Sequence, residues 1–215
     1  MWLSMLFTMF SLSVQLQSLI TAASGQLLND EAVKLDTHLV QLYKEKGTQC
    51  LVLGNFTKCE PHTVEALMLY MYTEYFAHTD THVGPWSFMA MVIRIAMRMG
   101  YHRDGSHIAH LTPFQAEMRR RVWLVVSQMD VMTSSQIGLP RMIKETKTDT
   151  REPSNYRDED LYEDMTELPP PRPDTTVTRV LTAVLKHRLV WIQGQITDAT
   201  SSTYPLTYGE VMRLE

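Results

Sequence analysis

An apolar residue at every third or fourth position, sustained along most of the chain, is the pattern that limits this sequence most. Its clearest start signal is Thr112-Pro113-Phe114-Gln115. A threonine hydroxyl can accept from the first turn, proline sits where its missing N–H does no harm, and glutamine can reach back to the cap. The helix that follows carries Phe114, Met118, Val122, Val125, Val126 and Met129 on one face. Glu117 and Arg121 form an i,i+4 pair in the favourable order.

The same spacing recurs on both sides. Asn29 can cap a helix with Asp30 and Glu31 in its first turn, Lys44 and Lys46 in its last, and Gly47 as its stop. Ala32, Leu35, Leu39 and Leu42 give it one apolar face. Pro61 opens a segment in which Val64, Leu67, Met68, Met71 and Tyr75 form a stripe flanked by Leu69, Tyr72 and Phe76, the pattern of a central helix. Gly84-Pro85 starts another, with Trp86, Met89, Ile93, Ala96 and Met97 inward and Gly100 as its stop. Val177, Val180, Leu181, Val184, Leu185, Trp191, Ile192 and Ile196 are spaced for one face of a long helix, and beyond Thr197 the signal fades. Residues 138–176 hold six of the ten prolines, and Glu152–Glu167 carries seven acids against one arginine. That composition reads as a solvated, irregular surface loop. The expected fold is all-α: an irregular bundle of antiparallel helices spanning residues 1–200, one long Pro/Asp-rich loop at 138–176, and a tail at 201–215. Cys50–Leu53 is too short a run to assign.

No charged residue precedes Asp30. The stretch Trp2–Ala23 lacks the basic start of a secretory signal, and Ser11, Ser13, Gln15 and Gln17 interrupt it before it reaches the length of a bilayer span. Leu12, Leu16, Leu19 and Ile20 fall at helical spacing, which reads as a core helix and not as a membrane segment. Ala22, Ala23, Ser24 and Gly25 supply the small residues of the alternative, a cleaved leader.

The 215 residues carry a net charge of −4, which excludes a generally basic nucleic-acid binder. Two cysteines, Cys50 and Cys59, cannot build a four-cysteine zinc site, and fifteen methionines suit adaptable helical packing. His102-Arg103-Asp104 is the triplet of a kinase catalytic loop, but Ala109 stands where that loop needs asparagine. His78, Asp80 and His82, like His102, Asp104, His107 and His110, lack the spacing of two ligands on one helical face and read as turn residues. No nucleophile elbow or phosphate loop is present in the sequence, so no catalytic residue, cofactor or metal ligand is assigned. Arg119, Arg120 and Arg121 point in three directions from a helix. Trp123 is placed to stack on Arg119. Asp130, among apolar neighbours, is expected to form a buried salt bridge with Arg94, Arg98 or Arg120.

Taken in order, these segments resemble the fungal-specific transcription factor domain, the middle homology region of fungal binuclear-zinc-cluster regulators. The resemblance rests on Thr63–Leu69, Trp86–Ala90 and Arg94-Ile95-Ala96-Met97-Arg98-Met99-Gly100-Tyr101-His102-Arg103-Asp104. It continues through Thr112–Trp123, Asp130, Ser134, Gly138-x-Pro140 and Pro153-x-Asn155 with Asp158 and Asp160, covering roughly residues 1–200. The family's glycine-arginine-proline turn reads Gly138-Leu139-Pro140 here, with arginine displaced to Arg141. What the resemblance implies is a helical regulatory domain that acts in the nucleus, on other protein subunits or a DNA-binding regulator, with a small-molecule effector as a further partner. The family's DNA-reading module needs six cysteines and two zinc ions; this chain's two cysteines cannot supply it, so direct zinc-dependent DNA binding by these residues is not expected. The activation region that follows in many members is absent or truncated. The alternative is a ligand-binding or enzymatic protein of a biosynthetic gene cluster built on the same scaffold, with an apolar cavity converging on His78, His82 or His102.

Overall fold

The computed structural model describes residues 1–24, 30–77, 83–205 and 207–214. The described residues form seven α-helices with no β-strand among them, so the all-α expectation holds. They are α1 (Trp2–Ala23), α2 (Asp30–Leu53), α3 (Thr63–Ala77), α4 (Val83–Arg98), α5 (Pro113–Ile137), α6 (Arg179–Thr200) and α7 (Tyr208–Leu214). The chain divides into two compact units, Met1–Phe88 and Met89–Glu215. Asn29, Gly25, His78, Asp80, His82 and the side chains of Asp30, Glu31 and Ala32 lie outside the described residues.

In the first unit α1 is turned opposite to its apolar stripe. Leu12 is buried, but Leu16, Leu19 and Ile20 are exposed, and the buried positions are Ser4, Thr8 and Ser11. Hydrogen bonding gives the reason. Ser4 Oγ donates to the Gly47 carbonyl (2.9 Å), Ser11 Oγ to the Val40 carbonyl (3.1 Å) and Ser18 Oγ to Asp36 (2.7 Å). Further along the same face, Gln15 Nε2 donates to the Thr73 carbonyl of α3 (3.1 Å). Small hydroxyls satisfied on a neighbour's backbone let antiparallel helices approach closely, where leucines would hold them apart. By length and composition alone α1 is also apolar enough to cross a membrane.

Helix α2 does not stop at Gly47; it runs on to Leu53, absorbing the unassigned Cys50–Leu53 run and leaving Lys44 and Lys46 in its interior. Gly47 serves the packing. A Cβ there would stand 2.8 Å from Thr8 Cγ2. Leu35 and Leu42 are exposed, so the expected single inward face of α2 is not the buried one. Helix α3 matches its reading: Val64, Leu67, Met68 and Met71 are buried, with Ala66 between them.

In the second unit Met89, Ile93 and Ala96 of α4 are buried as their spacing requires. Gly100 ends the helix at φ 76°, with its N–H on the Met97 carbonyl and the Tyr101 N–H on that of Ala96. This left-handed C-terminal turn costs glycine nothing. Helix α5 opens on the expected box: Thr112 Oγ1 accepts from the Gln115 N–H, and Gln115 Oε1 from the Thr112 N–H. Its buried face is rotated from the expected one. Met118 is exposed, while Glu117, Arg120, Trp123, Leu124, Val126 and Met129 are buried. Helix α6 is capped by Thr178 Oγ1, which accepts from the Leu181 N–H. Leu181 and Val184 are buried, whereas Val177, Leu185, Ile192 and Ile196 of the expected stripe are exposed. Helix α7 follows where no element was expected.

Residues 138–176 contain only 3-10 turns, at Glu145–Lys147 and Asp158–Asp160, so their irregularity stands. They are not a purely solvated crossing. Arg141, Ile143, Asn155, Tyr156 and Met165 are buried. Asn155 Nδ2 donates to the carbonyls of Arg172, Pro173 and Thr176 at 3.0–3.3 Å, and its Oδ1 accepts from Thr178 Oγ1. One side chain thereby closes the loop onto the start of α6.

The Gly47 contact has a measurable consequence. Replacing glycine by alanine inside a helix ordinarily gains up to about 1 kcal/mol. Here Thr8 cannot yield, because it is β-branched, fully buried, and tied by Oγ1 to the Ser4 and Met5 carbonyls. Gly47→Ala should therefore destabilise the chain by about 1–3 kcal/mol in chemical denaturation. Adding Thr8→Ser, which removes Cγ2 and keeps the hydroxyl, should restore most of the loss.

Candidate functional site

Asp104, the Arg119–Arg121 run and Asp130, all singled out in the sequence, lie in the second unit, where three carboxylates are buried: Asp104, Glu117 and Asp130. A buried carboxylate needs partners for nearly all its lone pairs. Each of the three finds them differently.

Asp104 caps a 3-10 turn (Gly105–His107) and sits one helix end away from Arg120 of α5. Arg120 grips it with two bonds, Nε to Oδ2 at 2.9 Å and Nη2 to Oδ1 at 2.7 Å. Ser106 donates its N–H (3.0 Å) and hydroxyl (2.6 Å) to Oδ1, and the Arg151 N–H donates to Oδ2 (3.0 Å). The Arg120 guanidinium holds the carboxyl well below the usual aspartate range, assisted by Ser106 and Arg151. With both oxygens occupied, Asp104 acts as a clamp and has no free lone pair for base chemistry.

Glu117, one turn before Arg120, accepts from Arg120 Nη1 (3.4 Å) and the Ser154 N–H (3.2 Å), with Arg121 Nε at 3.6 Å. Burial pushes its pKa up against the pull of the two arginines. Asp130 makes no salt bridge to Arg94, Arg98 or Arg120. It accepts instead from the backbone N–H groups of Met142 (3.0 Å) and Ile143 (2.7 Å). Peptide N–H groups approach a carboxylate in a narrow space where a guanidinium would need a wider one, and burial still raises this group's pKa.

The three consecutive arginines do diverge. Arg119 donates to the Met99 carbonyl and lies 4.1 Å from the Tyr101 ring centroid, so it stacks on Tyr101 and not on Trp123. Arg120 turns inward, and Arg121 Nη1 reaches Asp158 at 2.9 Å. Trp123 is buried, with the His102 ring centroid 6.4 Å away. Arg103 is exposed and pairs with Asp149 at 2.9 Å. Arg94 and Arg98 are exposed on α4, outside the network. Gly138 closes α5 at φ 67°, and Pro140 beyond it is exposed.

A strap, residues 148–154, joins these pieces. The Asp149 N–H and Thr148 Oγ1 bond the His102 carbonyl, at 3.1 and 2.9 Å, and Thr150 Oγ1 bonds that of Tyr101 at 2.7 Å. Asp149 Oδ1 accepts the Asp104 N–H at 2.9 Å. Asp149 was not singled out from sequence, because nothing local shows that residues 45 apart will meet. Arg141 was noted only as a displaced arginine. It is buried, bonds Glu145 (2.8 Å) and Asp198 of α6 (3.0 Å), and stacks 4.4 Å from the Trp191 ring centroid.

The first unit holds a separate groove of about 670 Å³ between α2 and α3, lined by Gln41, Lys44, Thr48, Val52, Tyr70 and Glu74 among others. Lys44 Nζ and Tyr70 Oη both reach Glu74 Oε1, at 2.9 and 2.6 Å. Burial, then Glu74, pushes the Tyr70 phenol up to about 12. His102 does not line it, and His78 and His82 lie outside the described residues. Among the described residues no group of three or more His, Cys, Asp or Glu could hold a metal ion.

An all-helical domain whose charged motif residues lock onto one another is the class of protein this geometry defines. The fungal specific transcription factor domain family matches residues 3–199, and the chain belongs to it. Over its whole length it is 45% identical to the Zn(2)-C6 fungal-type transcription factor pigI of Monascus ruber, covering 25% of that protein. It is 42% identical to the Zn(2)-C6 fungal-type transcription factor mpsB of Macrophomina phaseolina, covering 28%. It is 40% identical to the pyrrolocin cluster transcription factor fsdR of a fungal species, strain NRRL 50135, covering 29%. The chain thus spans between a quarter and a third of the length of these curated relatives. No solved structure matches it.

The opposite shifts of the two clamped carboxylates separate their roles. Asp104, with its folded pKa depressed, contributes stability above its unfolded value near 3.8 that is lost as pH falls through the folded value. Asp104→Asn should cost about 3–5 kcal/mol at neutral pH by leaving Arg120 half-paired. Its deficit against the parent should shrink in denaturation series taken below pH 4. Glu117, raised, disfavours the folded state as pH climbs past its unfolded value near 4.5. Glu117→Gln should therefore gain on the parent between pH 4.5 and neutrality, the reverse trend.

Proposed function

We propose that this chain is the regulatory module of a fungal transcription regulator, working in the nucleus through protein partners and without reading DNA itself. The observation that carries the reading is the family match over residues 3–199, supported by two buried anchors among its charged motif residues: Arg120 grips Asp104, and Asp130 separately holds the Met142 and Ile143 N–H groups. In this reading a partner acts by binding better to the domain with its strap seated, or with it released, and so shifts the balance between them. The relatives are named as transcription factors, several of them of biosynthetic clusters. Regulation of such a cluster is the role they support here.

A small-molecule effector is the second part of the proposal. The α2–α3 groove falls within the roughly 300–1,000 Å³ of ligand pockets. It sets a hydrogen-bonded Lys44–Glu74–Tyr70 set beside the apolar Val52 and Leu53. This groove also accommodates the ligand-binding side of the alternative reading, and no residue is assigned a catalytic role.

The reading is tested by fusing the chain to an unrelated sequence-specific DNA-binding domain and measuring a reporter gene in a fungal host. Reporter output should change several-fold relative to that DNA-binding domain alone, and Asp104→Asn should abolish the change at matched protein levels. The purified chain should give no specific mobility shift with promoter DNA. A nuclear, well-expressed fusion that leaves the reporter untouched, or a robust specific shift by the chain alone, would overturn the proposal.

A further inference from the structure

Helix α6 is apolar on two sides. Leu181 and Val184 are buried, and Ser135 meets Thr197 at 3.2 Å where α6 lies along α5. The side away from α5 carries Leu185 (49% exposed), Leu189 (70%), Ile192 (49%) and Ile196 (42%). Their intervals of four, three and four residues are those of a helix-pairing seam. Four large aliphatics in line on one open helix face form a patch, not scattered surface residues.

The order of those intervals says what fits. Four-three-four reads the same in both directions, so the seam is its own complement when a second helix runs antiparallel to it. A twofold axis between Leu189 and Ile192 would set Leu185 against the second copy's Ile196, and Leu189 against its Ile192. Self-complementarity of this kind is the requirement of a twofold interface. The flanking charges agree with it. In that register each flank faces its own equivalent, so Lys186 falls beside the second copy's Gln193 and Arg188 beside its Gln195, and no like charges meet. Arg188 is already neutralised by Glu152, at 2.6 Å. Arg179, at the helix start, lies beyond the overlap.

We infer that α6 is a self-association surface, and that two copies of this chain pair through it as antiparallel helices about a twofold axis. Four aliphatic side chains are fewer than the 20–30 residues a side of a standard interface, so the pairing is weak, with a Kd in the micromolar range or above. This inference stands apart from the regulatory reading, since pairing through α6 requires neither an effector nor a DNA-binding partner.

Sedimentation velocity of the full 215-residue chain, from about 1 to about 200 µM, brackets that range. The mass should rise from the monomer's 24.8 kDa toward twice that value. Leu189→Glu should stay monomeric throughout, with its far-ultraviolet circular dichroism unchanged because Leu189 is exposed. Orientation is read by oxidation in a Cys50→Ser, Cys59→Ser background, both native thiols being free. Chains carrying Leu185→Cys should cross-link to chains carrying Ile196→Cys, and neither should cross-link to itself, because both positions lie far from the twofold axis. A wild-type chain still monomeric at the highest concentration would overturn the inference and leave the face to a different chain. Dimerisation unaffected by Leu189→Glu would overturn it, and self-linking of either cysteine variant would overturn the antiparallel arrangement.

Discussion

Arg120 and Asp104 are 16 residues apart, and nearly everything in the second unit is placed relative to their bond. Both side chains are buried, so neither ion tolerates losing the other, and the guanidinium fork fits the carboxylate with two parallel hydrogen bonds. That single geometry fixes the start of α5 against the turn that ends α4. It also leaves Oδ2 of Asp104 aimed at the Arg151 N–H, and the third face of Arg120 aimed at Glu117. The strap lands where it does because those acceptors are already in place. Removing charge from the cluster is not equivalent at its two acids: Asp104 is held ionised by its partner, whereas burial pushes Glu117 toward its protonated form against the pull of Arg121 and Arg120.

The first unit solves a different problem by the same means. Helix α1 has no charge to spend on pairing, and it uses hydroxyls aimed at backbone carbonyls of α2. Small hydroxyls point inward beside Leu12, while Leu3, Leu16 and Leu19 face outward, nearly the inverse of an ordinary amphipathic helix. The arrangement is stable only because every inward hydroxyl reaches an acceptor and because Gly47 leaves room for Thr8.

The features that could be read from the sequence are those decided by neighbours in the chain. The Thr112–Gln115 box, the stop at Gly100 and the α3 stripe all depend on residues within one or two turns, and all appear as expected. The failures share a cause. Apolar periodicity assigns the inward face of α5 to Met118 and Val122, but the true face includes Glu117 and Arg120, which are tolerable inside only once Asp104 and Ser154 have arrived from 16 and 37 residues away. Asp130 was matched to arginines because charge suggests charge; it found two peptide N–H groups, which no side-chain pattern advertises. Gly47 looked like a stop because its role as a close contact depends on Thr8, 39 residues upstream.

The acidic receptors hold their loop by its main chain. Asp104 takes the amide of Arg151, Glu117 that of Ser154, and Asp130 those of Met142 and Ile143. Amides are common to all residues but one, so the identity of the side chains at these four positions is largely released from the task of anchorage. Such a segment can drift in composition, lengthen its turns or acquire new recognition chemistry while its footing stays the same. The exchange that this anchorage cannot absorb at those points is proline, which has no hydrogen to give; Ile143 is held besides by the burial of its side chain.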